Sequence, residues 1–249
     1  MEEEKRLTVT GHLQELRSRL IKSVIAIVVG IVISFPLTPY IFDILKWPAQ
    51  DINLIYVHVT EMLGTYIKVA LYCGIVLALP YLVYHLVMFL SPALRDREKK
   101  YVYLSLPLIF ILFAAGACFA YFIFLPPALK FLLSFGGDIA QPMITLNNYV
   151  SVVVKLLFSV GLVFEIPLVI TLLAKLGVVS PQKLAKGRKW AVLAAFVLGA
   201  IITPTVDPVN QTLIAAPIVV LYEISIWLAK LVYPRESLAP STGTIDNPS

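Results

Sequence analysis

Six stretches of this chain, about 21–42, 64–90, 101–127, 148–175, 189–203 and 210–232, are built mostly from Leu, Ile, Val, Ala and Phe. Runs of this length constrain folding more than any motif. A helix needs roughly 20 apolar residues to cross a ~30 Å hydrocarbon core, and a soluble domain has nowhere to bury so many. Composition agrees, since 59% of the 249 residues are hydrophobic, 14% are charged and the mean hydropathy is +0.87. The expected fold is an all-α polytopic membrane protein: six transmembrane helices in a single domain over 1–233, then a polar tail, 234–249, whose Ser, Thr and Pro content predicts disorder.

The cations orient the helices. Sixteen of the twenty Lys and Arg residues fall in the N-terminal segment up to and including Lys22, in the 91–100 loop, in the stretch from Lys175 to Lys189, or at the C-terminal end. Lys46, Lys68, Lys130 and Lys155 lie in or beside the alternate loops. The positive-inside rule then places both termini in the cytoplasm, and the net charge of +5 reflects topology, with no nucleic-acid partner implied. The first run is too long for a signal-peptide core and lacks a small-residue cleavage pattern, so the mature chain is expected to begin at Met1.

Catalytic and cofactor chemistry finds little support. Cys73 and Cys118 both lie inside spans, His12, His58 and His85 are scattered, and no HExxH, GxGxxG, GxxxxGK or GxSxG motif occurs. No enzyme, metal or cofactor is expected. Proline shapes the interior instead: Pro36, Pro80, Pro107, Pro167 and Pro217 each remove a backbone donor within a span and predict kinks. The fifth run, "WAVLAAFVLGAII", has thirteen residues and reaches only about 20 Å, so the fifth and sixth helices are expected to be short and to form a hairpin with its tip below the outer surface.

Ionisable groups at membrane depth are the functional candidates. Glu165 lies near the middle of the fourth span, where a charge costs on the order of 3 kcal/mol, so it should face a cavity or a partner. Lys155 is near the end of that span and can snorkel; Glu61 opens the second span and suits a helix N-terminus; Glu223 reads either way. At the cytoplasmic rim, "GHLQELRSRLIKSV" is a short amphipathic helix carrying Glu15, and "FLSPALRDREKKYVY" is a charged elbow carrying Glu98. At a common depth these two carboxylates could together grip two guanidinium groups, because carboxylate and Arg match as bidentate forks.

With "HLQELRSRL", Pro48, "FLSPALRDRE", "FEIP" and "TPTVDPVNQTLIAAP" in this order, the chain resembles the TatC family, the core subunit of the twin-arginine protein translocase, over about residues 8–233. The resemblance implies that Glu15 and Glu98 bind the paired arginines of a folded cargo's signal peptide. It implies that Arg17, Phe89, Pro92 and Leu94 shape that site, and that Pro48 is structural in the outer loop. Glu165 becomes a polar feature of a concave, cupped face. Thr203 and Gln211, with Asp207 beside them, become a membrane-embedded patch for the single-span partners TatA and TatB. Other copies of the chain and the lipid bilayer are further partners, the cytoplasmic (inner) membrane is the location, and the proton-motive force supplies the energy.

A proton-coupled secondary transporter of a small solute is the alternative. It would use Glu165 for protonation and kinked helices for alternating access. Against it, no internal repeat links the halves, and the strongest polar group of residues sits at the rim and not at the midplane. An intramembrane hydrolase lacks a nucleophile and base.

Overall fold

A computed structural model describes residues 9–49, 53–90, 96–134, 143–203 and 207–233, and every regular element among them is helical. Helix α1 (Val9–Ser34) leads through a 3-10 turn at Phe35–Leu37 into α2 (Thr38–Lys46). Helix α3 spans Val59–Leu90 and α4 spans Asp96–Phe119; a π-helical turn at Ala120–Phe124 joins α4 to α5 (Leu125–Ser134). Then come α6 (Leu146–Phe164), α7 (Ile166–Lys175), the short α8 (Pro181–Lys186), α9 (Arg188–Ile202) and α10 (Pro208–Val232).

Proline acts differently at different sites. Pro36 lies within the 3-10 break, and Pro167 sits just past Glu165, where α6 ends and α7 begins. Pro80, Pro107 and Pro217 lie inside continuous helices. The π turn, just before Pro126 and Pro127, is a break that the proline count alone does not place. Helix α7 closes with Gly177 at φ +72°, where Val178 N–H reaches Leu173 O at 3.0 Å and Gly177 N–H reaches Ala174 O at 3.0 Å. That left-handed residue satisfies carbonyls that the helix end would otherwise strand.

Small residues set the helix crossings, as expected where lipid offers no hydrophobic reward for association. Helix α1 meets α3 at Gly30 and Gly74, and a Cβ on Gly74 would stand 2.5 Å from the Ile31 backbone nitrogen. Helix α4 meets α6 at Gly116 and Gly161; a Cβ on Gly161 would stand 2.5 Å from the Phe113 ring. Helix α1 otherwise lies at the edge. Only 11% of the apolar window from Leu13 to Ala49 is buried, against 33% to 39% in the other long spans, so α1 depends on the glycine crossing for its position.

Among the described residues five segments are long and apolar enough to cross a bilayer: Leu13–Ala49, Val59–Phe89, Tyr103–Phe131, Leu146–Lys175 and Pro208–Val232. Helix α9 has 15 residues, about 22 Å at 1.5 Å per residue, and falls short of the ~30 Å core. The expected short sixth helix needs correction, because α10 has 25 residues. Asp207 caps it, accepting from Asn210 N–H at 2.7 Å, and Pro208 at N1 lets it start at once. The hairpin is short on one side only. Its tip, 204–206, and the tail, 234–249, lie outside the described residues.

Candidate functional site

Helical spacing puts Glu15 and Arg19 one turn apart on α1, with their side chains 25% and 19% exposed. Arg19 Nε and Nη2 both donate to Glu15 Oε1, at 2.9 and 2.5 Å. Arg19 Nη1 lies 3.3 Å from Nδ1 of His85, a buried residue of α3. His85 in turn packs edge-on against Tyr81 and Tyr84, with ring centroids 4.4 and 5.3 Å away. The Tyr84 hydroxyl is 3.3 Å from that of Tyr103 on α4. One level of polar and aromatic contacts thus ties α1, α3 and α4. Glu15 lies four residues before Arg19, and Glu98 five before Tyr103, so on parallel helices both stand beyond that level in the same direction, by about 6 and 7.5 Å.

The backbone of Glu98 belongs to the first turn of α4, while its side chain lies outside the described residues, as do Pro92 and Leu94. Arg17 is exposed on α1. Phe89 is half-buried in the last turn of α3.

From this level a groove of about 700 Å³ runs between α1, α3 and the α6–α7 joint. Its wall is apolar apart from Arg19, Ser23, His85 and Glu165. Glu165 is 4% exposed beside the Phe113 backbone, and neither carboxylate oxygen makes a hydrogen bond among the described residues. The helix break at Pro167 explains its placement: Glu165 sits where α6 stops, at the wall of the groove, with both carboxylate oxygens covered. A buried carboxyl without a partner is costly, so its setting serves something other than stability. Among the described residues no three His, Cys, Asp or Glu converge to hold a metal ion.

The family described as Sec-independent protein translocase protein (TatC) matches residues 11–217. The chain belongs to the TatC family. It is 43% identical to the Sec-independent protein translocase protein TatC of Carboxydothermus hydrogenoformans over 236 residues, 94% of this chain and 97% of that one. It is 44% identical to the TatC of Aquifex aeolicus over 232 residues, 90% of this chain and 95% of the relative. A crystal structure of a twin-arginine translocase receptor, TatC, shares 44% identity and superposes with a TM-score of 0.76, covering 89% of this chain and 99% of that one. Membership in TatC sets aside the small-solute transporter and makes the chain a translocase component and not an enzyme.

Within this TatC fold the last hairpin satisfies much of its own polarity. Thr203 is turned inward, 6% exposed, and its hydroxyl donates to Gly199 O at 2.9 Å. Gln211 Nε2 donates across the hairpin to Phe196 O at 2.9 Å. Asp207 holds the N-terminus of α10 and also accepts from Asn210 Nδ2 at 2.9 Å. Lys155 does more than snorkel, since its Nζ donates to Ile201 O at 2.9 Å, a cation at the C-terminal end of α9. Pro48 lies in the 3-10 turn Trp47–Ala49 that ends α2, where Trp47 stacks on Tyr121 at 6.4 Å.

Two polar groups of this TatC chain escape sequence reasoning. Glu223 pairs with Arg188, whose Nε and Nη2 donate to its two oxygens at 2.6 and 3.0 Å, tying α10 to α9. Lys68 donates to Asn147 Oδ1 at 2.7 Å and Ser151 Oγ at 2.5 Å, joining α3 to α6, while Glu61 accepts from the Asn147 and Val57 amides at 3.3 and 3.0 Å. The available signal was helical spacing: Glu61, Thr65 and Lys68 share one face of α3, and Asn147 and Ser151 share one face of α6.

Proposed function

We propose that this chain is the receptor and core of a twin-arginine translocase, capturing the paired arginines of a folded cargo's signal peptide on Glu15 and Glu98 at the cytoplasmic face. The matched depth of the two residues carries the reading: each lies a little over one helical turn beyond the Arg19–His85–Tyr84–Tyr103 level, on parallel helices. Two carboxylates at one depth suit two guanidinium forks. Arg17, Phe89, Pro92 and Leu94 shape the surroundings of that dock. The chain crosses the inner membrane six times as one unit over 1–233, with both termini and the 234–249 tail in the cytoplasm, a topology supported by the distribution of Lys and Arg. TatA-like and TatB-like single-span proteins, and other copies of the chain, assemble with it. Thr203, Asp207 and Gln211 at the hairpin and Glu165 in the groove are the polar points for those contacts, Pro48 steadies the outer turn, and the proton-motive force drives export.

Crosslinking a twin-arginine peptide to photoprobes beside Glu15 and Glu98 tests fold, topology and function together. Glu98→Ala should weaken peptide binding at least tenfold while the protein purifies normally, because a rim carboxylate has a charge-assisted pair to lose and little packing. Unchanged affinity in a well-behaved variant counts against the dock, and small-solute uptake by the protein in liposomes would revive the transporter.

A further inference from the structure

The Glu15 carboxylate is engaged from within its own helix. Arg19 Nε and Nη2 converge on one oxygen, Oε1, so a guanidinium of the chain holds the group that a cargo arginine has to reach. Arg19 is also shared with the neighbouring helix, since its Nη1 stands 3.3 Å from His85 Nδ1. A guanidinium only donates, so Nδ1 accepts and the ring carries its proton on Nε2. The ring has little freedom to turn away, being 8% exposed and set edge-on between Tyr81 and Tyr84. Arg19 therefore contacts two acceptors at once through different nitrogens, one on α1 and one on α3, and on giving up Glu15 it still has His85 within reach at the groove mouth.

We infer that Arg19 is a built-in competitor for the cargo's arginine, occupying Glu15 until a signal peptide displaces it, and that His85 is the positioning residue that receives the displaced guanidinium. The inference rests on Glu15 being part of the dock. It adds a source of selectivity that two carboxylates alone do not have. An incoming cation has to outcompete a pre-placed guanidinium, and a lysine ammonium, which cannot fork onto a carboxylate, does so poorly. The internal pair is an i, i+4 contact at a partly covered site, so it is weak enough to yield and strong enough to discriminate.

The test measures affinities of labelled Arg-Arg and Lys-Lys signal peptides for the full chain in nanodiscs, each variant first checked for monodisperse elution and unchanged helix content. R19Q should tighten Arg-Arg peptide binding about threefold, the scale of an exposed pair, and narrow the preference over Lys-Lys. R19K, which keeps the charge but loses the fork, should also tighten binding, though less. Both gains should vanish on an E15Q background. H85F should weaken binding about threefold in the parent and have no effect beside R19Q, because the ring acts only through Arg19. Unchanged or weaker binding in R19Q, with E15Q still impaired, overturns the competitor and leaves the dock standing. Equal gains with and without Glu15 mean simple relief of charge repulsion and also overturn it. Full binding by E15Q itself would remove the dock and the competitor together.

Discussion

The two ends of the α1–α3–α6 assembly are built on opposite plans. Where α2 ends and α3 and α6 begin, the chain is laced across long sequence distances. Tyr149 Oη donates to Leu45 O at 2.8 Å, Tyr121 Oη to Ile44 O at 2.8 Å, and Leu146 N–H to Ile55 O at 2.7 Å, beside the Lys68 and Glu61 bonds. At the other end α1 touches α3 through Arg19 and His85, and an apolar groove separates α1 from the α6–α7 joint, against which α3 packs with Leu79 and Val83 on Leu168 and Leu172. Hydrogen bonds in apolar surroundings hold geometry tightly, because water does not compete for the partners. The laced end fixes where the helices start. The open end is held in register from a distance, and its Glu15 carboxylate is engaged only by Arg19 of the same helix among the described residues.

The largest effect should come from breaking the link between the two. In Gly74→Val the added Cβ would meet the Ile31 backbone nitrogen at 2.5 Å, which no side-chain rotation relieves, so α1 has to move off α3. The loss should be on the order of 3 kcal/mol in unfolding free energy, with peptide capture lost as Glu15 leaves the depth it shares with Glu98. Retained stability with full capture would show that α1 is placed by something other than the glycine crossing.

Removing one lace should separate stability from recognition. Tyr149→Phe leaves the Leu45 carbonyl without its donor in a buried setting, and thermal unfolding should report a cost of about 2 kcal/mol. Peptide affinity should not change, and a parallel fall in affinity would mean that the two ends are mechanically coupled.

The smallest change has the opposite sign. Glu165→Leu removes a buried carboxyl that has no hydrogen-bond partner among the described residues, so the variant should unfold about 1 kcal/mol harder while export in cells declines. A destabilised variant would instead reveal that the carboxyl is satisfied and structural.

The membrane class, the helical fold and the family were legible in linear runs of residues, because apolar length and local motifs need no knowledge of neighbours. Partnerships were not. Lys68 read as a loop-side cation and is a tie between α3 and α6; Glu223 was ambiguous and is one half of an ion pair with Arg188. Thr203 lies in the stretch that the family resemblance makes a membrane-embedded patch, and its inward-facing side chain is visible only in the fold. Glu15 was read as a dock, and its bond to Arg19 follows from i, i+4 spacing, yet His85 enters only when α3 is laid beside α1.

Hydropathy and charge along the chain were enough to settle that it lives in a bilayer, that its apolar spans are helical, and that its cations gather in alternate loops. These follow from local solvation: each residue's transfer cost is its own, and backbone groups in hydrocarbon have to pair within a helix. Which helices cross at glycine, where α6 breaks to set Glu165 in the groove wall, and which carboxylate meets which guanidinium were decided by the tertiary structure. A polar group in a bilayer has few partners within reach, and their identity depends on helix rotation and depth, which no single stretch of sequence encodes.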